Sequence, residues 1–155
     1  MHQSLFDLDR LNRFALTNHN AVSDGNHALV NAMEQLTMEK GQFDHAAHVQ
    51  LAWTYLRMHP PQQALGECSR TIKAFAEHVG VTDKYHATIT LANFLSVAIS
   101  MEEADNTEIW PAFVRRNTEL LRHPMQAVYR LYTHECLESD EARQEFLDPD
   151  GVQGF

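Results

Sequence analysis

Cysteine, glycine and basic charge are all scarce in this sequence, and each shortage narrows what it can be. The two cysteines, Cys68 and Cys136, lie far apart and form no C-x-x-C pattern, so neither a disulfide framework nor a thiolate metal site is indicated. Reduced thiols fit a cytoplasmic location. Only six glycines occur, and the alternation of apolar and polar residues that marks a strand is nearly absent. Lys and Arg number 12 against 21 Asp and Glu, a formal net charge of -9. A phosphate-binding surface needs clustered Lys and Arg, and no cluster occurs, so nucleic acid and anionic membranes are not expected partners. No apolar run is long enough to span a bilayer. The opening residues, MHQSLFDLDR, lack a basic start followed by an apolar stretch, so no secretory signal is expected.

What remains is a 155-residue chain that is 44% apolar and 21% charged, values suited to one globular domain with one core. Apolar residues recur at spacings of three and four, which predicts an all-α, compact single-domain bundle of about six to eight helices. Leu5, Leu8 and Leu11 suggest a first helix. Ser23, Asp24 and Asn26 are start signals for a second, which Gly41 is expected to close. A third should run from near Asp44 to the Pro60-Pro61 pair, which then opens a fourth ending at Gly80. A fifth is predicted from about Lys84 to Met101, a sixth from Thr107 through Leu121, a seventh after Pro124, and a short last one from Ser139. No repeat or linker divides the chain.

The ten histidines are the unusual count. His2 and His19 lie in polar stretches, and His59 and His123 each precede a proline at a helix end, where the helix dipole is reason enough for them. Two constellations are left. In Phe43-Asp44-His45-Ala46-Ala47-His48 the histidines are three apart, which places them as helix-surface neighbours about 5–6 Å apart at Cβ. Val49, Ala52 and Leu56 lie within about 60° of His45, and Gln50, Thr54 and Arg57 on the far side, so the pair is predicted to face the core. One His-x-x-His alone reads more readily as a pair of hydrogen-bonded core histidines than as a metal site. Asp44 reads as the helix cap.

The second constellation starts at Lys84-Tyr85-His86. It opens a helix that is apolar on nearly every side, and its polar residues His86, Thr90, Asn93 and Ser100 fall within about 40° of one direction. A polar stripe on a buried helix must meet polar partners, water, an ion or a ligand. His86 is therefore a candidate third metal ligand beside His45 and His48. Thr90 and Asn93 would orient water or substrate, and Glu135 would supply a carboxylate. Three histidines with an open position describe a catalytic metal site, and imidazole suits zinc, iron or copper alike. From the region Tyr129–Asp150, Tyr132 and Arg143 are candidates for binding an anionic or zwitterionic substrate, and the segment Tyr129–Arg143 is predicted to fold back over the histidines.

The segments F-D-H-A-A-H, K-Y-H-A-T-I-T and S-D-E-A-R-Q-E-F-L-D-P-D resemble a pattern in small uncharacterised bacterial helical proteins: an aromatic before H-x-x-H, then Y-H-x-T-x-T, S-x-x-A-R and a final P-D. The resemblance covers residues 43 to 150 and leaves the first 40 outside. It implies that His45, His48, His86, Thr88, Thr90, Ser139, Arg143 and Asp150 matter. Ala87 stands where the pattern would have an acid, and no activity transfers with the resemblance.

Two functions follow as expectations. One is a metal-dependent enzyme, hydrolytic or oxidative, acting on a small molecule at His45, His48 and His86. The other is a non-catalytic helical module that binds a small ligand or a partner protein, its buried histidines being structural. Either is compatible with a monomer or a homodimer.

Overall fold

The computed structural model describes residues 11, 12 and 14–151. Among them are nine α-helices and no strand, so the all-α reading holds. The expected first helix through Leu5 and Leu8 lies largely outside the described residues. Leu11, Phe14 and Leu16 join the core.

Local chemistry accounts for most helix ends. α1 (Asp24–Glu34) starts in a capping box: the Asn26 amide donates to Ser23 Oγ at 3.2 Å, and the Ser23 amide donates to Asn26 Oδ1 at 2.9 Å. It stops before Gly41, because Leu36 itself takes the left-handed conformation at φ 60. The Thr37 and Met38 amides then donate back to Ala32 O. α2 (His45–Met58) is capped by Asp44, whose carboxylate accepts from the Ala47 amide at 2.9 Å. Pro61 opens α3 (Pro61–His78), and Gly80 at φ 77 turns the chain out of it. α4 (Ala87–Glu102) follows a 3-10 turn at Thr82–Lys84 and begins after His86 rather than at Lys84.

The predicted sixth helix is two. α5 (Trp110–Arg116) and α6 (Thr118–Arg122) are separated at Asn117, whose side-chain amide donates to Phe113 O. α7 (Pro124–Leu131) then leads to α8 (His134–Glu138) and α9 (Asp140–Gln144), capped by the hydroxyls of Thr133 and Ser139.

α2 packs against α1, α3 and α4, and α4 also packs against α7 and α9. This double coverage makes α2 central, and Leu51 through Arg57 are all buried. Thr54 and Arg57, expected on an outer face, are therefore inside: Thr54 satisfies its hydroxyl on Gln50 O. Arg57, 0% exposed, donates to Leu16 O at 2.8 Å and to Glu108 O at 2.9 Å while its guanidinium lies over Trp53. It thereby ties the chain before α1 and the chain before α5 to the central helix.

After α9 the chain returns along α4 and α7 as a strap. Thr88 Oγ1 donates to Glu145 O at 2.6 Å and accepts from the Leu147 amide at 3.2 Å. The Tyr132 phenol donates to Leu147 O. Asp150 accepts from the amide and hydroxyl of Thr133. The Gly151 amide donates to Leu131 O, and a Cβ at Gly151 would sit 2.6 Å from Arg130 O. Among the described residues no helix is long and apolar enough to cross a membrane.

Candidate functional site

The geometry divides the three histidines between different tasks. His86 precedes α4 as its N-cap. Its Nδ1 accepts from the Ile89 amide at 3.0 Å, so the ring proton sits on Nε2, which donates to Leu137 O at 2.7 Å. Both nitrogens are spent on the protein, and His86 has no lone pair to offer a metal in this arrangement. The expectation of His86 as third ligand is corrected on that ground. His45, in the first turn of α2, donates from Nε2 to Leu120 O at 2.9 Å and ties α2 to α6. Among the described residues no group of three or more His, Cys, Asp or Glu is placed to hold a metal ion.

His48 differs from both. It stacks on Phe43, ring centroids 5.7 Å apart, and Phe43 in turn meets Phe75 edge-on. Neither ring nitrogen of His48 has a protein partner among the described residues. Burial, and then the neighbouring His45, pull its pKa down from 6.5 to about 4, so the ring is neutral near pH 7.

His48 opens onto a cavity of about 380 Å³ between α2, α3 and the start of α4. Phe43, Ile72, Phe75, Val79 and Ile89 make it largely apolar, and Thr90 and Asn93 of the predicted polar stripe line it. Thr90 is already satisfied, its hydroxyl donating to His86 O one turn back. Asn93 is not. Its side chain is 8% exposed and has no hydrogen-bond partner among the described residues. Tyr85, beside the Ser69 and Thr90 hydroxyls, closes one side, and burial raises its pKa above the ordinary value. An apolar pocket of this size with a few convergent polar groups is the usual form of a small-molecule site.

The remaining predicted residues lie elsewhere. Glu135 is exposed in the first turn of α8 and does not line the cavity. Tyr132 is fully buried with its phenol donating to Leu147 O, and burial drives its pKa well above the usual range. Nothing of it is left for a substrate. Arg143 donates to Asp83 O at 2.7 Å and braces the turn before α4. The C-terminal segment does fold back, as expected, but it seats His86 and the α4 terminus instead of covering the cavity. Of the other residues implied by the resemblance, Thr88 and Asp150 fasten the strap, Ser139 caps α9 and Arg143 braces the turn before α4.

Two charged residues that line the cavity, Lys40 and Lys84, both exposed on 3-10 turns, are absent from the sequence-based candidates. The available signal was proximity: each lies within five residues of one of the two histidine motifs.

A second cavity of about 300 Å³ lies between α4, α6 and α7. Several of its polar groups are already engaged, Arg130 and Gln126 being exceptions. Arg116 pairs with Glu108 and Glu103, Ser100 bonds Asn117, and His123 pairs with Glu119. The first cavity, more apolar and lined by residues of both histidine motifs, is the better candidate. No family model, curated protein or solved structure matches this chain.

Proposed function

We propose that this protein is a helical small-ligand-binding module whose site is the cavity between α2, α3 and α4. The observation that carries the reading is the open polar pair, Asn93 and His48, in an otherwise apolar cavity. Neither group has a protein partner among the described residues, and both meet the cavity, where solvent can serve them until a ligand does. A ligand that hydrogen-bonds to both groups would replace that solvent while its apolar part packs against the walls around them. In this reading His86 and His45 are structural, as their hydrogen bonds support, and His48, Asn93 and Thr90 face the ligand. Its place is the cytoplasm, where Cys68 and Cys136, both free thiols, stay reduced.

Octan-1-ol is a suitable neutral probe. Titrated into the protein, it should give saturable NMR shifts at the Asn93 side-chain amide and at the amides of residues 43, 48, 85 and 89. Ile89→Trp, which fills the cavity, should abolish them, with Ala76→Leu as a second filling variant. Shifts scattered over the surface, or unchanged in both variants, would sink the proposal. The metal-dependent enzyme retains only the His45–His48 pair as support. Zinc titration with imidazole NMR shifts as the readout tests it. Tight binding that moves both rings and releases His45 from Leu120 would favour that reading over ours.

A further inference from the structure

We infer that the ligand is an amphipathic monocarboxylate that enters apolar end first and leaves its carboxylate at the mouth of the cavity. The inference rests on the binding site proposed above and adds the ligand's charge and orientation.

The charge follows from what lines the cavity. Lys40 and Lys84 do, and no Asp or Glu does. This is unusual for a chain with 21 acidic and 12 basic residues. Only three lysines occur in the sequence, Lys40, Lys73 and Lys84, and two are here. Glu39 and Asp83 precede them in sequence, yet among the described residues no carboxylate lies within ion-pair distance of either ammonium. Both ammonium groups are thus free to meet an anion. Against a net charge of -9, a bound anion gains only from positive groups close by, since salt screens charges beyond about 8–10 Å.

The orientation follows from where the charges are not. The interior offers a neutral imidazole at His48, a carboxamide at Asn93 and apolar walls. A carboxylate pushed to that depth would be desolvated with no cation beside it, which is prohibitive. At the rim it meets two exposed ammonium groups and keeps part of its hydration. His48 and Asn93 are then left to hydrogen-bond a neutral substituent, a hydroxyl, carbonyl or amide, on the inner part of the molecule. Lysines rather than arginines at the rim act as point charges, without the fork that selects a fixed planar pairing.

Three probes with the same eight-carbon body separate the terms: octanoate, octan-1-ol and octylammonium. Their affinities would be measured by titration calorimetry at low and at high salt, on the wild type and on the Lys40→Gln/Lys84→Gln double variant. Octanoate should bind best, by about fivefold per lysine over octan-1-ol at low salt, and octylammonium worst. The double variant should bring octanoate down to the level of octan-1-ol and leave octan-1-ol unchanged, and high salt should do part of the same. Equal binding of octanoate and octan-1-ol, a preference for octylammonium, or an octanoate preference that survives in the double variant would each overturn the inference while leaving the cavity as a ligand site. If none of the three binds, the site itself falls and the inference with it. Both lysines are exposed, so the double variant should fold as the wild type does.

Discussion

Protonating His48 forces a charge onto the wall of an apolar cavity, and stability should register it. Its ordinary pKa of 6.5 falls to about 4 in the folded protein, first through burial and then through His45. Above pH 7 the imidazole is neutral in both folded and unfolded chains and contributes no pH dependence. As the pH falls below 6.5 the unfolded chain takes up a proton and the folded one does not, so stability drops. The slope approaches 1.4 kcal/mol per pH unit, which gives a loss of about 2 kcal/mol at pH 5, approaching roughly 3 kcal/mol near pH 4, where the folded form also protonates. Water reaching the cavity lowers these figures. Urea unfolding at pH 7, 6 and 5, at fixed ionic strength, on wild type and His48→Gln isolates the effect, because the other carboxylates and histidines titrate in both. The difference between the two curves should be flat above pH 7 and should change by about 2 kcal/mol by pH 5. Parallel curves over that range would refute the account of His48.

Other substitutions test the remaining assignments. His86→Ala removes a helix cap and the bond to Leu137 O, and should cost about 2–4 kcal/mol regardless of added metal; His86→Asn, which can still cap, should recover about 1 kcal/mol of that in thermal melts. Asn93→Leu replaces a carboxamide that has no protein partner among the described residues with an apolar side chain, so it should not lower the melting temperature, while it should weaken octan-1-ol binding. A lowered melting temperature would mean that Asn93 is satisfied in the protein. Gly151→Ala drives a Cβ into the backbone of Arg130 and Leu131; hydrogen exchange should speed up at Leu147 and Thr133, whose amides the strap protects, while α2 stays as protected as before.

The fold was legible because caps and stops are local chemistry. Ser23, Asp44, Pro61, Gly80 and Ser139 act where their side chains or ring geometry demand. The errors arose where a helix's surroundings decide. Arg57 and Thr54 looked outward because periodicity gives a direction but not what lies in it, and α2 is covered on both sides. Periodicity puts His86 inside a helix, yet it stands one residue before the helix and uses its ring as a cap, a position more often held by Ser, Thr, Asp or Asn. Thr90 and Asn93 were correctly put on one wall, since both are truly helical. Lys40 and Lys84 sit on short turns, where no period relates them to anything, and only the packing of α2, α3 and α4 brings them to one opening.

The strap also sets an order of events during synthesis. The carbonyl that seats His86 belongs to a residue 51 positions later, and the groups that bond Thr88 lie 57 and 59 positions later. At about 5–20 residues per second, a ribosome completes the start of α4 roughly 3–12 seconds before it delivers these partners. During that interval α2 and α3 are already made, while α4, apolar on nearly every side, has its first turn held by the cap alone. The nascent chain therefore carries α4 without its C-terminal partners until its last helices emerge.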